Sequence, residues 1–239
     1  MSKESKHKLS KSTWISILFL TIVIPATLLI SWKMGDRKYY LCSVLLIVYA
    51  MVPFFLQFEK KKPQPRELVT LAVMCAIVVA SRVAFIAVPN FKPMIGILII
   101  TGMAFGPESG FLAGALSAFV SNFIFGQGPW TPWQMFAYGF AGFISGVLKK
   151  KGILKGEESV SMAIYGGLLV LICVGPLLDT CSVFTMNNVI TKEGAAAVYL
   201  AGLPMNVMNA GATILTLLIL GKPLTQILER IKLKYGLNV

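Results

Sequence analysis

Arg82 and Asp179 stand inside otherwise apolar stretches, in Ala-Ser-Arg-Val-Ala and Pro-Leu-Leu-Asp-Thr-Cys. A charge within a bilayer is expensive, and it is kept where it pairs with an opposite charge, faces water or serves a function. Two readings follow: an Arg82–Asp179 pair that braces a cavity, or direct contact of either side chain with a bound molecule. Asn206 and Asn209 are polar in the middle of a further apolar run. They either join helices or point into the same site. Aromatic groups concentrate in Gly126-Gln-Gly-Pro-Trp-Thr-Pro-Trp-Gln-Met135. Trp130 and Trp133 suit either the interfacial belt of a membrane protein or a rigid loop stacked on a planar ligand. Gln134 and Tyr138, one helical turn apart, would add hydrogen-bonding groups.

Catalysis has little to work with. The only histidine, His7, lies in a charged N-terminal tail, so no histidine-based acid–base pair or HExxH site can be assembled. A phosphate loop of the GxxxxGK[ST] type is absent, since Gly221-Lys222 is followed by Pro223. Cys42, Cys75, Cys173 and Cys181 form no CxxC pair. They read as small packing residues, with neither a disulfide framework nor a metal cluster expected. No catalytic residue, cofactor or metal is assigned.

The elements that must carry these residues are membrane helices. Of 239 residues, 56% are hydrophobic and 13% charged, against about 25% charged in soluble domains. Eight apolar runs approach or reach the length a bilayer needs, at 13–32, 39–58, 67–88, 91–106, 110–126, 133–148, 160–183 and 195–220. The fold class is therefore all-α, a polytopic membrane bundle. The first run is longer than a signal peptide's apolar region, and Lys33 follows it without a small-residue cleavage pattern. It reads as a retained span.

The net charge of +12 sits in short clusters between the runs, which is a topogenic pattern and not a nucleic-acid footprint. With a cytoplasmic N-terminus, the inside segments hold Lys3, Lys6, Lys8 and Lys11, then Lys60, Lys61, Lys62 and Arg66. They also hold Lys149, Lys150, Lys151 and Lys155, then Lys222, Arg230, Lys232 and Lys234. The outside segments hold only Lys33, Arg37, Lys38, Lys92 and Lys192. Both termini are expected in the cytoplasm of a multi-pass cell-membrane protein. The chain divides into a tail (1–12), a two-helix unit (13–58), a charged linker (59–66), a six-helix core (67–221) and a second tail (222–239).

Ala72, Ala76, Ala80 and Ala84 recur every four residues and form one ridge of a helix. Such ridges let helices approach closely, either inside the bundle or against a partner. Led by this AxxxA helix after a basic segment, residues 66–235 resemble the substrate-binding S component of energy-coupling factor (ECF) vitamin transporters. Phe105-Gly-Pro-Glu-Ser-Gly-Phe-Leu-Ala-Gly-Ala-Leu-Ser-Ala-Phe119 resembles that family's tight turn and small-residue helix, and the 126–135 stretch a loop found in a subset of it. The first two spans are additional to the family's six helices.

The resemblance implies a vitamin-like ligand bound near the outer face, a transmembrane coupling subunit docked on the alanine ridge, and two ATPase subunits that supply the energy. The lining expected at the outer ends of the core helices is Arg82, Asn90, Trp130, Trp133, Gln134, Tyr138, Asp179 and Asn206. The Trp-rich loop and extended chain look most like the cobalamin-type S components; pyridoxine, a queuosine precursor or another planar nutrient stays open. The rival readings are a self-sufficient secondary transporter and a membrane-embedded enzyme of lipid or isoprenoid chemistry. No internal repeat supports the first, and the second lacks clustered carboxylates or an intramembrane histidine.

Overall fold

The computed structural model describes residues 14, 17–34, 45, 48, 49, 65–154, 158–186 and 191–236. Among them there are helices and turns but no strand. The first span is helical at α1 (Ile24–Met34), preceded by a π-turn at Phe19–Val23. Nearly all of the second span, the linker up to residue 64 and the whole N-terminal tail (1–12) lie outside the described residues.

The six-helix core is α2 (Pro65–Ala84), α3 (Met94–Phe105), α4 (Pro107–Phe125), α5 (Trp130–Lys150), α6 (Ser159–Leu169) with α7 (Gly175–Met186), and α8 (Lys192–Tyr235). Short connections make the runs alternate in direction. One end of the bundle therefore gathers the end of α2, the start of α5 with its tryptophans, the end of α7 and the start of α8. The opposite end gathers Arg66, Lys149, Lys150, Lys222 and Lys232. We call them the Trp end and the Lys end.

Local signals set the boundaries. Pro65 opens α2, where its missing N–H is no loss, and Glu67 in the first turn complements the helix dipole. The α3–α4 turn needs Gly106, whose φ of 92° is unfavourable for any side chain, and Pro107 then starts α4. Between α6 and α7 the helix widens into a π-turn at Val170–Val174. Pro176 lies just beyond it, and a helix-interior proline removes one amide donor and crowds the carbonyl four residues back. The wider turn accommodates both.

Among the described residues, four helical stretches are long and apolar enough to cross a membrane: Pro65–Ala84, Pro107–Phe125, Ser159–Thr185 and Lys192–Tyr235. Helix α3 is shorter and almost wholly buried by its neighbours. Helix α5, with its polar first turn and several glycines, is also mostly buried, so lipid exposure does not dictate its composition. A glycine seam joins these central helices. A Cβ on Gly110 would lie 2.6 Å from the Gly142 carbonyl oxygen, and one on Gly146 would lie 2.6 Å from the Pro107 nitrogen. Gly102 and Gly114 face the backbone of α5 just as closely. Small residues that let backbones touch are how membrane helices associate. The last apolar run of the sequence ends near residue 220, whereas α8 continues through Pro223 to Tyr235. Its far end is held by Lys232, which donates to the Ala104 carbonyl, and by Arg66 stacked on Tyr235.

Candidate ligand-binding site

At the Trp end, polar groups from three helices converge on Asn122. Arg82 Nη1 donates to Ser121 Oγ (2.6 Å) and Asn122 Oδ1 (2.8 Å), tying α2 to α4. The Asn122 amide then donates to Thr131 Oγ1 (3.1 Å) and Gln134 Oε1 (2.9 Å), tying α4 to α5. Thr131 donates to Gln127 Oε1 and accepts from the Gly128 amide, so the loop before α5 folds onto the same hub. Phe125 lies 4.3 Å from the guanidinium carbon, a cation–π contact. Ser121, Asn122 and Thr131 are fully enclosed.

A second constellation joins α7 and α8. Asn206 Nδ2 donates to Asp179 Oδ2 at 2.7 Å. Each side chain also rests on a glycine of the opposing helix: Asn206 over Gly175, where a Cβ would meet it at 2.5 Å, and Asp179 over Gly202. Gly175 and Asp179 are four apart, as are Gly202 and Asn206, so the two antiparallel helices clasp each other reciprocally. The widened turn at Val170–Val174 immediately precedes this clasp. The buried Asn206 amide donates to the buried Asp179 carboxylate, and among the described residues no cation pairs with it.

A polar hub at one end, a glycine-seamed core and an AxxxA ridge on the leading helix accompany a sequence match. Residues 62–228 fit the family described as ECF-type riboflavin transporter, S component. The chain belongs to this family. No solved structure matches it. The protein is thus the substrate-binding membrane subunit of an ECF transporter for a vitamin, and not an enzyme.

Within this S component the expected lining residues divide. Arg82 and Gln134 are joined through Asn122. Trp133 is half-buried and tilts against Phe184 at 5.7 Å, linking α5 to the end of α7. Trp130 is exposed, and its indole N–H reaches the Gly126 carbonyl at 3.3 Å. Tyr138 is buried one turn below Gln134. Asn90 lies in the exposed turn after α2, where its φ of 59° gives it a backbone role that asparagine tolerates. Asp179 and Asn206 bond to each other, and no ion pair links Arg82 to Asp179. An apolar groove of about 460 Å³ between α1 and the core, lined partly by Phe136, Phe140 and Pro176, contains none of these residues.

Ser121, Asn122, Gln127 and Thr131 were absent from the sequence-based set. A signal existed for Asn122: it is an amide inside an apolar run, the property that drew attention to Asn206. The alanine ridge faces outward. Ala72, Ala76, Ala80 and Ala84 are all exposed, while Leu71, Met74, Val78 and Arg82 form the buried face of α2.

Proposed function

We propose that the S component captures a ring-bearing vitamin at the Trp end, facing the cell exterior, and passes it inward with a coupling subunit docked on the alanine ridge and two ATPases. The observation that carries this reading is the Asn122 hub: buried amide, hydroxyl and guanidinium groups from α2, α4 and α5 meet beside the Trp130–Gln134 stretch. Ligand sites are mostly apolar with a few convergent polar groups. Arg82, Gln134, Trp133 and Tyr138 form the inner part of the lining, Asn90 and Trp130 its rim. Asp179 and Asn206 close the side made by α7 and α8. The outward orientation is supported by the excess of Lys and Arg at the opposite end.

Riboflavin is the first ligand by the family's description; its planar ring offers a surface for Trp133 and edges for amide groups. Cobalamin is the second, favoured by the Trp-rich loop and the extended chain. Calorimetric titration of the detergent-purified full chain with each vitamin separates them. Riboflavin is expected to bind. Replacing both Trp130 and Trp133 with alanine should weaken binding about tenfold, as loss of aromatic contacts worth about 0.5–1.5 kcal/mol each implies. Heat from cobalamin alone would reverse the order, and unchanged affinity in the double variant would move the site away from the loop.

A further inference from the structure

We propose that the ligand end of the bundle receives an anionic group, a phosphate or carboxylate carried by the vitamin, on the free edge of the Arg82 guanidinium. The inference rests on the reading of the Trp end as the ligand site. Arg82 is only 6% exposed. Its Nη1 is bonded to Ser121 and Asn122, both neutral acceptors, and one face is covered by Phe125. Among the described residues no carboxylate reaches it, and the enclosed Nε has no acceptor. Nη2 likewise makes no hydrogen bond with a described residue.

Two buried acids among the described residues are engaged elsewhere. Asp179 accepts from Asn206, and Glu108 pairs with Lys150 at the Lys end (3.8 Å). Lys92, in the turn between α2 and α3, adds positive charge on the same side of the bundle. A guanidinium does not shed its proton in proteins, and a buried charge left without a partner is strongly unfavourable. The Nε–Nη2 edge is also the fork that matches a carboxylate or phosphate with two parallel hydrogen bonds. A neutral vitamin would leave this edge uncompensated; an anionic one completes it.

The test uses the full chain in detergent, as wild type, Arg82→Gln and Arg82→Lys. Thermal melts are recorded with inorganic phosphate, acetate or chloride at matched ionic strength. Phosphate or acetate should raise the melting temperature of the wild type above the chloride value, Arg82→Lys should keep part of the shift, and Arg82→Gln should lose it. The anion with the larger effect identifies the group. In parallel, riboflavin and riboflavin 5′-phosphate are titrated. The phosphate ester should bind the wild type about tenfold more tightly, the scale of one charge-assisted hydrogen bond, and the ratio should fall to about one in Arg82→Gln.

Equal melts in all three salts overturn the proposal, as does a shift that survives in Arg82→Gln. If that variant does not fold, the wild-type salt series and Arg82→Lys still decide. Equal affinity for the two flavins would sink the anionic group while leaving the flavin reading intact. Phosphate protection without binding of either flavin would do the reverse.

Discussion

Asp179 takes its side-chain hydrogen bond from a neutral amide, that of Asn206 on the facing helix. Two opposite charges inside apolar runs suggest mutual neutralisation, yet Asp179 is held by Asn206 and seated on Gly202, while Arg82 is held by Ser121 and Asn122. A double-mutant cycle on thermal stability follows from this. Asp179→Ala combined with Asn206→Ala should show coupling within about 0.5–3 kcal/mol, the range for residues in contact. Asp179→Ala combined with Arg82→Gln should add to within about 0.5 kcal/mol, as for residues without shared partners. Comparable coupling in both cycles would restore the ion pair. The cost of an intramembrane charge marks Arg82 and Asp179 in the sequence, but partner choice depends on which helices are adjacent, and apolar periodicity does not encode that. Asn122 was legible by the rule applied to Asn206. Ser121 and Thr131 were less so, because a hydroxyl in a membrane helix can bond its own backbone and so leaves little pattern.

Among the helices, glycine and alanine do opposite work. The seam glycines of α3, α4 and α5 face backbone, whereas Gly211 of α8 faces open space. The same substitution should therefore change sign with position. Gly142→Ala should destabilise by about 1–3 kcal/mol through overpacking, because the added methyl overlaps the Gly110 carbonyl. Gly211→Ala should be neutral or stabilise by up to about 1 kcal/mol, as a helix-favouring change at a compatible site. Melting curves of the two variants against the parent provide the comparison. The alanine ridge of α2 was legible in its spacing of four; its direction was not, since four small residues pack equally well inward or outward. With the ridge exposed, Ala76→Trp and Ala80→Trp should leave the isolated S component folded and able to bind ligand. Both should abolish co-purification with the coupling subunit and uptake, because a bulky ring prevents close backbone approach. Loss of folding in the isolated variants would return the ridge to internal packing.

Taken as one body, the chain is organised by an asymmetry of charge along the membrane normal. The lysines of the α5 terminus and the α8 extension fall at one end and the tryptophan loop at the other, as the clusters between apolar runs imply. Reporter fusions after Lys62 and Lys155 should read cytoplasmic, and fusions within residues 187–193 should read external. An external C-terminus would invert the assignment of ligand and docking ends. The core helices were legible because six apolar runs are separated by Gly, Pro and Lys. The continuation of α8 past Pro223 was less so: an exposed helical turn tolerates a missing donor, and the anchoring of Lys232 and Tyr235 is tertiary.

Helix α3 carries a consequence for how the protein is made. Its 12 residues rise only about 18 Å, well short of the roughly 30 Å hydrocarbon layer. Alone in lipid, its ends would leave unsatisfied backbone groups within the hydrocarbon. During synthesis α3 therefore cannot settle as an independent span; it must enter with α4, to which Gly106–Pro107 hinges it, and wait for α5 and α8 to wall it off. Biogenesis of this part of the chain is therefore expected to be concerted, and a nascent chain arrested before α5 would hold its most apolar helix in a position it cannot keep.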